Sequence, residues 1–275
     1  MVVIKVEIFY KDFVLGNFRA SNYKLLSDCS FSYSGESEDE IGIASTTIEK
    51  FIGDNPIPIY IGEKYESKLR PTITLIKNPC VNENLSFNSI ELRGILRELT
   101  GFRGYKWFRL INDKAEDELW YKAKINNISY KRVGGNIVGI ILSMECDSMF
   151  AWSNENDVVI NAKSGEIFYV NNNTDDLCNY VLPYVEIISN IQGEITITNI
   201  TDNNWISKIK NVKTNEKITI DSKKEIISSD INHKLLLNDF NLHFFRLVPN
   251  KNEYISDKDI EIHFKFRTPR KVGFV

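Results

Sequence analysis

Two long runs of alternating residues, joined by a short glycine turn, constrain this sequence more than any other feature. In the second run, Asn136–Cys146, the apolar residues share one face of a strand: Val138, Ile140, Leu142, Met144 and Cys146. The first run, Leu119–Tyr130, changes phase near Asn126-Asn127, as an extra residue in a β-bulge would cause. Between the runs, Gly134 and Gly135 readily take positive φ. The pattern predicts a long antiparallel β-hairpin.

One amphipathic helix is predicted just before this hairpin. Between Ser89 and Thr100 the apolar residues follow the i, i+3, i+4, i+7 spacing of one helical face: Leu92, Ile95, Leu96 and Leu99. Asn88 or Ser89 suits the N-cap, and Gly101 suits a left-handed position after the helix. Burying each apolar side chain stabilises the packed helix by about 1.5–3 kcal/mol. This gain outweighs the roughly 1 kcal/mol by which Gly94 destabilises the middle of the helix. We therefore expect one helix packed on a mostly antiparallel sheet.

The length of 275 residues suits one large or two ordinary domains. Other β-rich segments of the first half are residues 4–8, Phe13–Phe31, Pro56–Ile61 and Pro71–Ile76. The polar segment Trp152–Asp157 is interpreted as a linker or irregular segment, so we place a domain boundary after Ala151.

The second half is predicted to be a β-sandwich without helices. Its short runs alternate and are separated by Asn, Asp, Gly and Ser turns. The predicted strands are Glu166–Val170, Tyr184–Ile188, Glu194–Asn199, Lys217–Asp221, Lys234–Leu237, Leu242–Val248 and Ile260–Arg267. The last is the most regular, because apolar and polar residues alternate along its whole length.

Charge and hydropathy argue against two classes of partner. The net charge of −3, without a long basic run, disfavours a nucleic-acid-binding protein. No run approaches 18 apolar residues, so no membrane-spanning helix is predicted. The N-terminus alternates charged and apolar residues, unlike a signal peptide, and we expect folding in a cytoplasm.

No catalytic, cofactor or metal site is predicted. Nucleotide-binding and nucleophile motifs are absent, and the histidines and cysteines lack metal-ligand spacing: His233, His243, His263, Cys29, Cys80, Cys146 and Cys178. The acidic tract Ser34–Glu40 is interpreted as a solvated loop, with calcium binding as the less favoured alternative. Trp152 and Trp205 would suit sugar stacking, although packing or an interface is the preferred interpretation.

The order of elements resembles the distal tail proteins of long-tailed bacteriophages. In the first half the resemblance rests on the helix Ser89–Thr100, the aromatic strand Trp107–Ile111 and the segments Trp120–Ile125 and Gly139–Met149. In the second half it rests on Pro183–Ile187, Gly193–Asn199, Lys217–Asp221, Phe245–Asn252 and a closing strand ending at Phe266-Arg267. One position departs from the family pattern: Asn250 stands where a glycine usually follows the proline, and asparagine tolerates left-handed geometry.

The resemblance implies a mainly β fold with two domains. Residues 1–151 would form the N-terminal ring-forming domain, with one helix and a long hairpin, and residues 152–275 a galectin-like β-sandwich. The family implies a homohexameric ring at the tail tip of the virion. The ring would join the tail tube and the end of the tape-measure protein to the tail-associated lysin or fibre, and it would dock receptor-binding proteins.

The implied role is structural rather than enzymatic, without cofactors. DNA would pass through the ring channel without other nucleic-acid contact, and no membrane insertion is expected. Four hairpin residues become candidates for an interface or the channel side, with solvated charge as the alternative: Lys122, Lys124, Lys131 and Arg132. Two other functions remain open: a carbohydrate- or receptor-binding baseplate component, and a wall-degrading enzyme.

Overall fold

The computed structural model describes residues 9–10, 12–29, 45–51, 57–65, 68–111, 119–231 and 236–271. The chain separates into two compact units, one extending to Ala151 and the other from Trp152 to Arg270. Both are built mainly from β-strands, which confirms the predicted fold class. The predicted strand at residues 4–8, the acidic tract at 34–40 and His233 lie outside the described residues.

The N-terminal unit contains one large antiparallel sheet and one separate hairpin. Its strands are β1 Phe9–Tyr10, β2 Asp12–Leu15, β3 Phe18–Arg19, β4 Leu25–Cys29, β5 Ser45–Lys50, β6 Ile59–Tyr65, β7 Thr72–Lys77, β8 Lys106–Ile111, β9 Tyr121–Val133 and β10 Asn136–Cys146. Eight of them form one sheet in the order β1-β4-β7-β10-β9-β8-β2-β3. Strands β5 and β6 form a two-stranded sheet of their own.

The predicted long hairpin is present as β9 and β10. Gly134 and Gly135 take φ of 55° and 83°, so the turn has the positive φ values that fit the twist of the two strands. Asn127 pairs with Ser143 and Ile125 with Met144, which leaves Asn126 as the extra residue of a bulge. The sequence had placed the bulge at this point. A second irregularity, near Val138, was not predicted.

Helix α1, Ser89–Thr100, has the predicted bounds and buries Leu92, Ile95 and Leu99. These side chains join a core in which Phe13, Phe108, Ile140 and Leu142 are fully buried. A capping box begins the helix, because the Asn88 side chain accepts from the backbone of Glu91 while the Glu91 carboxylate accepts from the backbone of Asn88.

The prediction of a left-handed Gly101 is wrong. Its φ is −68°, in the right-handed region. Glycine is required there for space instead, since a Cβ would lie 2.5 Å from the carbonyl oxygen of Arg97. The last helical turn therefore closes tightly on its own backbone.

The C-terminal unit is a sandwich of two antiparallel sheets. Its strands are β11 Ala151–Trp152, β12 Asn156–Ala162, β13 Ile167–Asn172, β14 Tyr184–Ser189, β15 Gly193–Asn199, β16 Trp205–Val212, β17 Lys217–Asp221, β18 Ile226–Ser229, β19 Asn250–Ser256, β20 Ile260–Phe266 and β21 Pro269–Arg270. The sheets have the orders β12-β20-β14-β17-β18 and β13-β19-β15-β16, and β11 pairs with β21. One apolar core lies between the sheets, where the rings of Tyr254 and Phe264 approach to 5.4 Å.

Several predictions for this unit are wrong. Asn156 and Asp157, assigned to the linker, begin β12, which pairs with β20 along its whole length. Leu236 and Leu237, assigned to a strand, begin the short helix α2, Leu236–Asp239. The segment Leu242–Val248 is not a strand either: Leu242 has φ of 59°, and only Leu247 forms a bridge, to Val181.

Besides β12, five strands of this unit were not predicted: the short β11, β18 and β21, and β16 and β19, in which polar residues occupy buried positions. In β19, Asn252 and Ser256 point inward. In β16 the inward residues include Ser207, and Asn211 has φ of 57°. Such strands lack the apolar alternation by which strands are recognised in a sequence. Asn250 does have the left-handed geometry expected at the departure from the family pattern, with φ of 70°.

Candidate interaction surfaces

Most of the length of β9 has a strand partner on one side only. Strand β10 pairs with β9 from Ala123 to Val133, whereas β8 pairs only with Tyr121–Ala123. Residues Lys124–Val133, called the β9 edge below, therefore have no strand neighbour on the side of β8 among the residues that the structure describes. Such an edge presents unpaired backbone donors and acceptors and is a template for adding another strand.

An open groove of about 410 Å³ lies between the β9 edge and helix α1. Its lining combines apolar side chains with the polar bulge: Leu96, Thr100, Ile125, Asn126, Asn127, Ile128 and Tyr130. Leu96, predicted on the buried helical face, is only half-buried here. Tyr130 remains 39% exposed. The groove thus offers apolar surface directly beside a strand edge.

Two of the four predicted interface residues, Lys122 and Lys124, belong to a local ion-pair cluster. Lys124 lies 3.4 Å from Glu145, and Lys122 lies 3.8 Å from Asp147. Partial burial raises the pKa of the Glu145 carboxyl, but Lys124, Asn126 and Tyr105 outweigh it and bring this pKa below its ordinary value. These two lysines are thus engaged within their own chain.

Lys131 and Arg132 are exposed on the distal part of β9. The guanidinium of Arg132 donates to the carbonyl of Gly135 at 3.0 Å, across the turn. Both positive charges lie on the β9 edge rather than in the ion-pair cluster. They are therefore better placed than Lys122 and Lys124 to meet a partner.

The β5–β6 hairpin is a second surface of interest; the sequence predicted a β-rich segment at Pro56–Ile61, which overlaps the start of β6, and did not predict β5. It exposes many large apolar side chains: Ile48, Phe51, Ile57, Ile59, Tyr60 and Ile61. An isolated two-stranded hairpin is marginally stable in water. A concentration of exposed apolar residues on such a hairpin indicates an interaction site.

In the C-terminal unit, side chains satisfy the backbone of the irregular segment 242–249. Five carbonyls of this segment accept hydrogen bonds from side chains: those of His243, Phe244, Arg246, Leu247 and Val248. The donors are buried or half-buried: Ser207, Trp205, Tyr254, Asn199, Asn172 and Asn252. Asn252 also accepts from the backbone of Val248 at 2.9 Å. We call Asn172, Asn199 and Asn252 the asparagine cluster. Sequence reasoning missed it, since buried asparagines resemble turn residues in a sequence.

Trp205 is packed on both faces of its ring. The Arg246 guanidinium lies 3.7 Å from the ring centroid, and His243 stacks on the ring at 4.3 Å. Groups so close to one centroid must lie on opposite faces, because they would overlap on the same face. Arg246 also contacts Tyr180 and forms a bidentate ion pair with buried Asp202. Trp205 therefore has no open ring face for stacking a sugar.

The remaining candidate residues lie apart. Lys223 is 5.9 Å from the ring of Trp152, and His263 pairs with Glu261 at 2.8 Å. Burial, with Asp147 and Glu145, raises the pKa of the Cys146 thiol to about 12, whereas Cys80 and Cys178 are exposed. No group of three potential metal ligands occurs in the described part of the chain. No helix there is both long and apolar enough to span a membrane.

Comparison with known families now decides the class of protein. Residues 9–148 match the model of a phage tail protein N-terminal domain, and residues 150–266 match the model of a phage tail C-terminal domain. The chain belongs to this phage tail protein family. Comparison with curated proteins finds no match.

Solved structures of phage proteins share the fold of this phage tail protein. The SPP1 Dit protein, titled a paradigm of the hub adsorption apparatus in Gram-positive infecting phages, aligns with a TM-score of 0.60 and 12% identity. The alignment covers 95% of this chain and 99% of SPP1 Dit. A chain of the phage P2 baseplate in its activated conformation with Ca aligns with a TM-score of 0.53 and 9% identity, covering 98% of this chain and 100% of that one. The predicted resemblance to distal tail proteins is confirmed at the level of the fold.

Proposed function

We propose that this phage tail protein is the hub of the tail tip. Residues 1–151 form a homohexameric ring, and residues 152–275 form an outer docking domain. The ring joins the tail tube and the end of the tape-measure protein to the tail-associated lysin or fibre, and DNA passes through its channel. Assembly takes place in the cytoplasm of the host bacterium.

The observation that carries the proposal is a fold shared with SPP1 Dit over 95% of this chain, within a phage tail protein family. The N-terminal unit adds support, because a closed ring needs two different surfaces on each subunit. The β9 edge and the exposed β5–β6 hairpin are two such surfaces.

The C-terminal unit supports docking of receptor-binding proteins better than binding of sugars. Both faces of Trp205 are covered by side chains of the same unit. Tyr180, Arg246 and Trp205 form one stacked array, and these residue types dominate the binding energy of many protein interfaces. The role that we assign to this unit is therefore a platform for protein partners.

The mass of the assembled protein tests the hub. Light scattering at micromolar concentration is expected to give six times the subunit mass of 31.8 kDa, and negative-stain microscopy is expected to show rings with a central channel. A chain that stays monomeric, both alone and with its tail tube protein, would contradict the proposal. Turnover of peptidoglycan by the purified chain would instead support an enzyme.

A further inference from the structure

We propose that the β5–β6 hairpin of one copy of this chain docks on the β9 edge of the next copy, with apolar side chains in the groove beside α1. The inference rests on the ring proposed above and assigns its subunit contact to two described surfaces. The occupant of the groove is a second copy of this chain.

The donor surface is the hairpin. Four of its apolar side chains are 42% to 62% exposed: Ile48, Phe51, Ile59 and Ile61. In the sheet topology of the described residues, β5 and β6 pair only with each other. Two strands without a sheet or helix against their apolar residues are marginally stable, so a partner that covers these residues would stabilise the hairpin.

The acceptor surface is the β9 edge together with its groove. An added strand would hydrogen-bond to the unpaired backbone groups of this edge, and the pleat would direct alternate side chains toward the groove. Ile125, Ile128 and Leu96 supply apolar surface there. The edge, Lys124–Val133, is long enough for the seven residues of β6, Ile59–Tyr65.

Topology favours a second copy as the partner. Charge does not select the partner, because Glu49 and Lys50 are both exposed on the hairpin. One chain carries both surfaces but pairs neither with the other in its own fold. A contact between different surfaces of identical chains is head-to-tail, which is the kind of contact that closes a ring.

Photo-crosslinking of the full chain tests the contact directly. A photoreactive benzoylphenylalanine replaces Phe51, and isotope-labelled and unlabelled chains are mixed before irradiation. Crosslinks between the two kinds of chain are expected to map to residues 96–100 or 124–133. Crosslinks confined to one chain, or between chains but at other sites, would overturn the inference.

Substitutions test the same contact by assembly mass. Ile59→Lys with Ile61→Lys is expected to abolish the assembled species, because the bulge of β6 at Ile61 breaks the alternation with Ile59, and whichever face of β6 meets the groove would then carry a charge. Tyr130→Lys, on the acceptor side, is expected to act likewise. The matched control is Val159→Lys with Ile226→Lys, which changes side chains of similar exposure, 53% and 52%, in the C-terminal unit and is expected to assemble normally.

The outcomes separate this inference from the proposed function. Circular dichroism first establishes that each variant is folded. If the unsubstituted protein forms rings and the hairpin variant still does so, the inference is wrong and the hub remains. If the unsubstituted protein never assembles, the ring is wrong and the inference with it.

Discussion

The two units of this protein differ in how backbone outside regular strand pairing is hydrogen-bonded. In the C-terminal unit, segment 242–249 leaves the sheets, yet side chains of the same unit donate to five of its backbone carbonyls, and Asn252 both donates to and accepts from the backbone of Val248. In the N-terminal unit, Lys124–Val133 is in strand conformation, with a bulge at Asn126, but has no second strand neighbour among the described residues. The backbone of the first segment finds side-chain partners within its own unit, whereas the second has a strand neighbour on one side only among the described residues.

This difference suggests where the function of a tail hub lies. A buried polar group without a partner is costly, so the asparagine cluster must be satisfied before the sandwich is stable. The backbone donors and acceptors of a strand edge at the surface are hydrogen-bonded to water, so the edge is stable without a partner and can still pair with another strand. Four experiments test how far this difference between the two units holds.

The asparagine cluster should dominate the stability of the C-terminal unit. Asn252→Ala leaves the buried Val248 N–H without its acceptor and removes one of the two donors to the Val248 carbonyl and one of the two acceptors of the Asn199 amide, and we expect a loss of about 3 kcal/mol in the free energy of unfolding. Urea unfolding measures the loss, and hydrogen exchange of peptides from 152–270 locates it. The control, Asn171→Ala, changes an exposed asparagine on β13 and should stay within about 0.5 kcal/mol. Equal losses of unfolding free energy for Asn252→Ala and Asn171→Ala would show that the hydrogen bonds of Asn252 do not stabilise the C-terminal unit.

Alanine should change stability in opposite directions at Gly94, within α1, and at Gly101, directly after it. Gly101→Ala places a Cβ 2.5 Å from the Arg97 carbonyl oxygen and should destabilise the N-terminal unit by about 1–3 kcal/mol. Gly94→Ala meets nothing within 4 Å and should stabilise the helix by roughly 0.8–1 kcal/mol. Thermal or urea unfolding compares the two. A stabilising Gly101→Ala would show that the helix end is looser than described.

The stability of the helix start should depend on acid pH. A hydrogen bond from Lys77, followed by the backbone N–H of Asn88, brings the pKa of Glu91 below its ordinary 4.5. A lowered folded-state pKa means that the stabilisation is present above about pH 4.5 and is lost as the pH falls through the lowered value. Unfolding measured from neutral to acid pH should show a shallower pH dependence in Glu91→Gln. If Glu91→Gln left the pH dependence of unfolding unchanged, ionised Glu91 would not stabilise the folded protein.

Thiol labelling should distinguish the core from the surface without changing stability. In the native protein, alkylation near neutral pH should modify Cys80 and Cys178, which are exposed. Cys146 should resist, because it is 1% exposed and burial raises its pKa to about 12. Mass spectrometry of the peptides reads out each site. Rapid labelling of Cys146 would mean that the sheet of the N-terminal unit opens more readily than its packing implies.

Local patterns in the sequence were sufficient for the helix, the long hairpin and its bulge. Each of these depends on residues close in the chain: the spacing of Leu92, Ile95 and Leu99, the glycine turn, and the change of phase at Asn126. Family resemblance supplied the class of protein and the fold. Strands β16 and β19 escaped prediction, because inward residues such as Ser207, Asn252 and Ser256 are polar and break the apolar alternation.

Apolar periodicity and turn residues act locally, so the sequence was enough to predict α1, the β9–β10 hairpin and the regularly alternating strands. Tertiary packing sets which strand edge stays open, makes Gly101 necessary for space rather than for φ, and covers Trp205 on both faces. Those properties depend on which distant residues meet. For the stretch from α1 to β10, the sequence specified its elements, and the fold alone left beside them an edge and a groove for a neighbour.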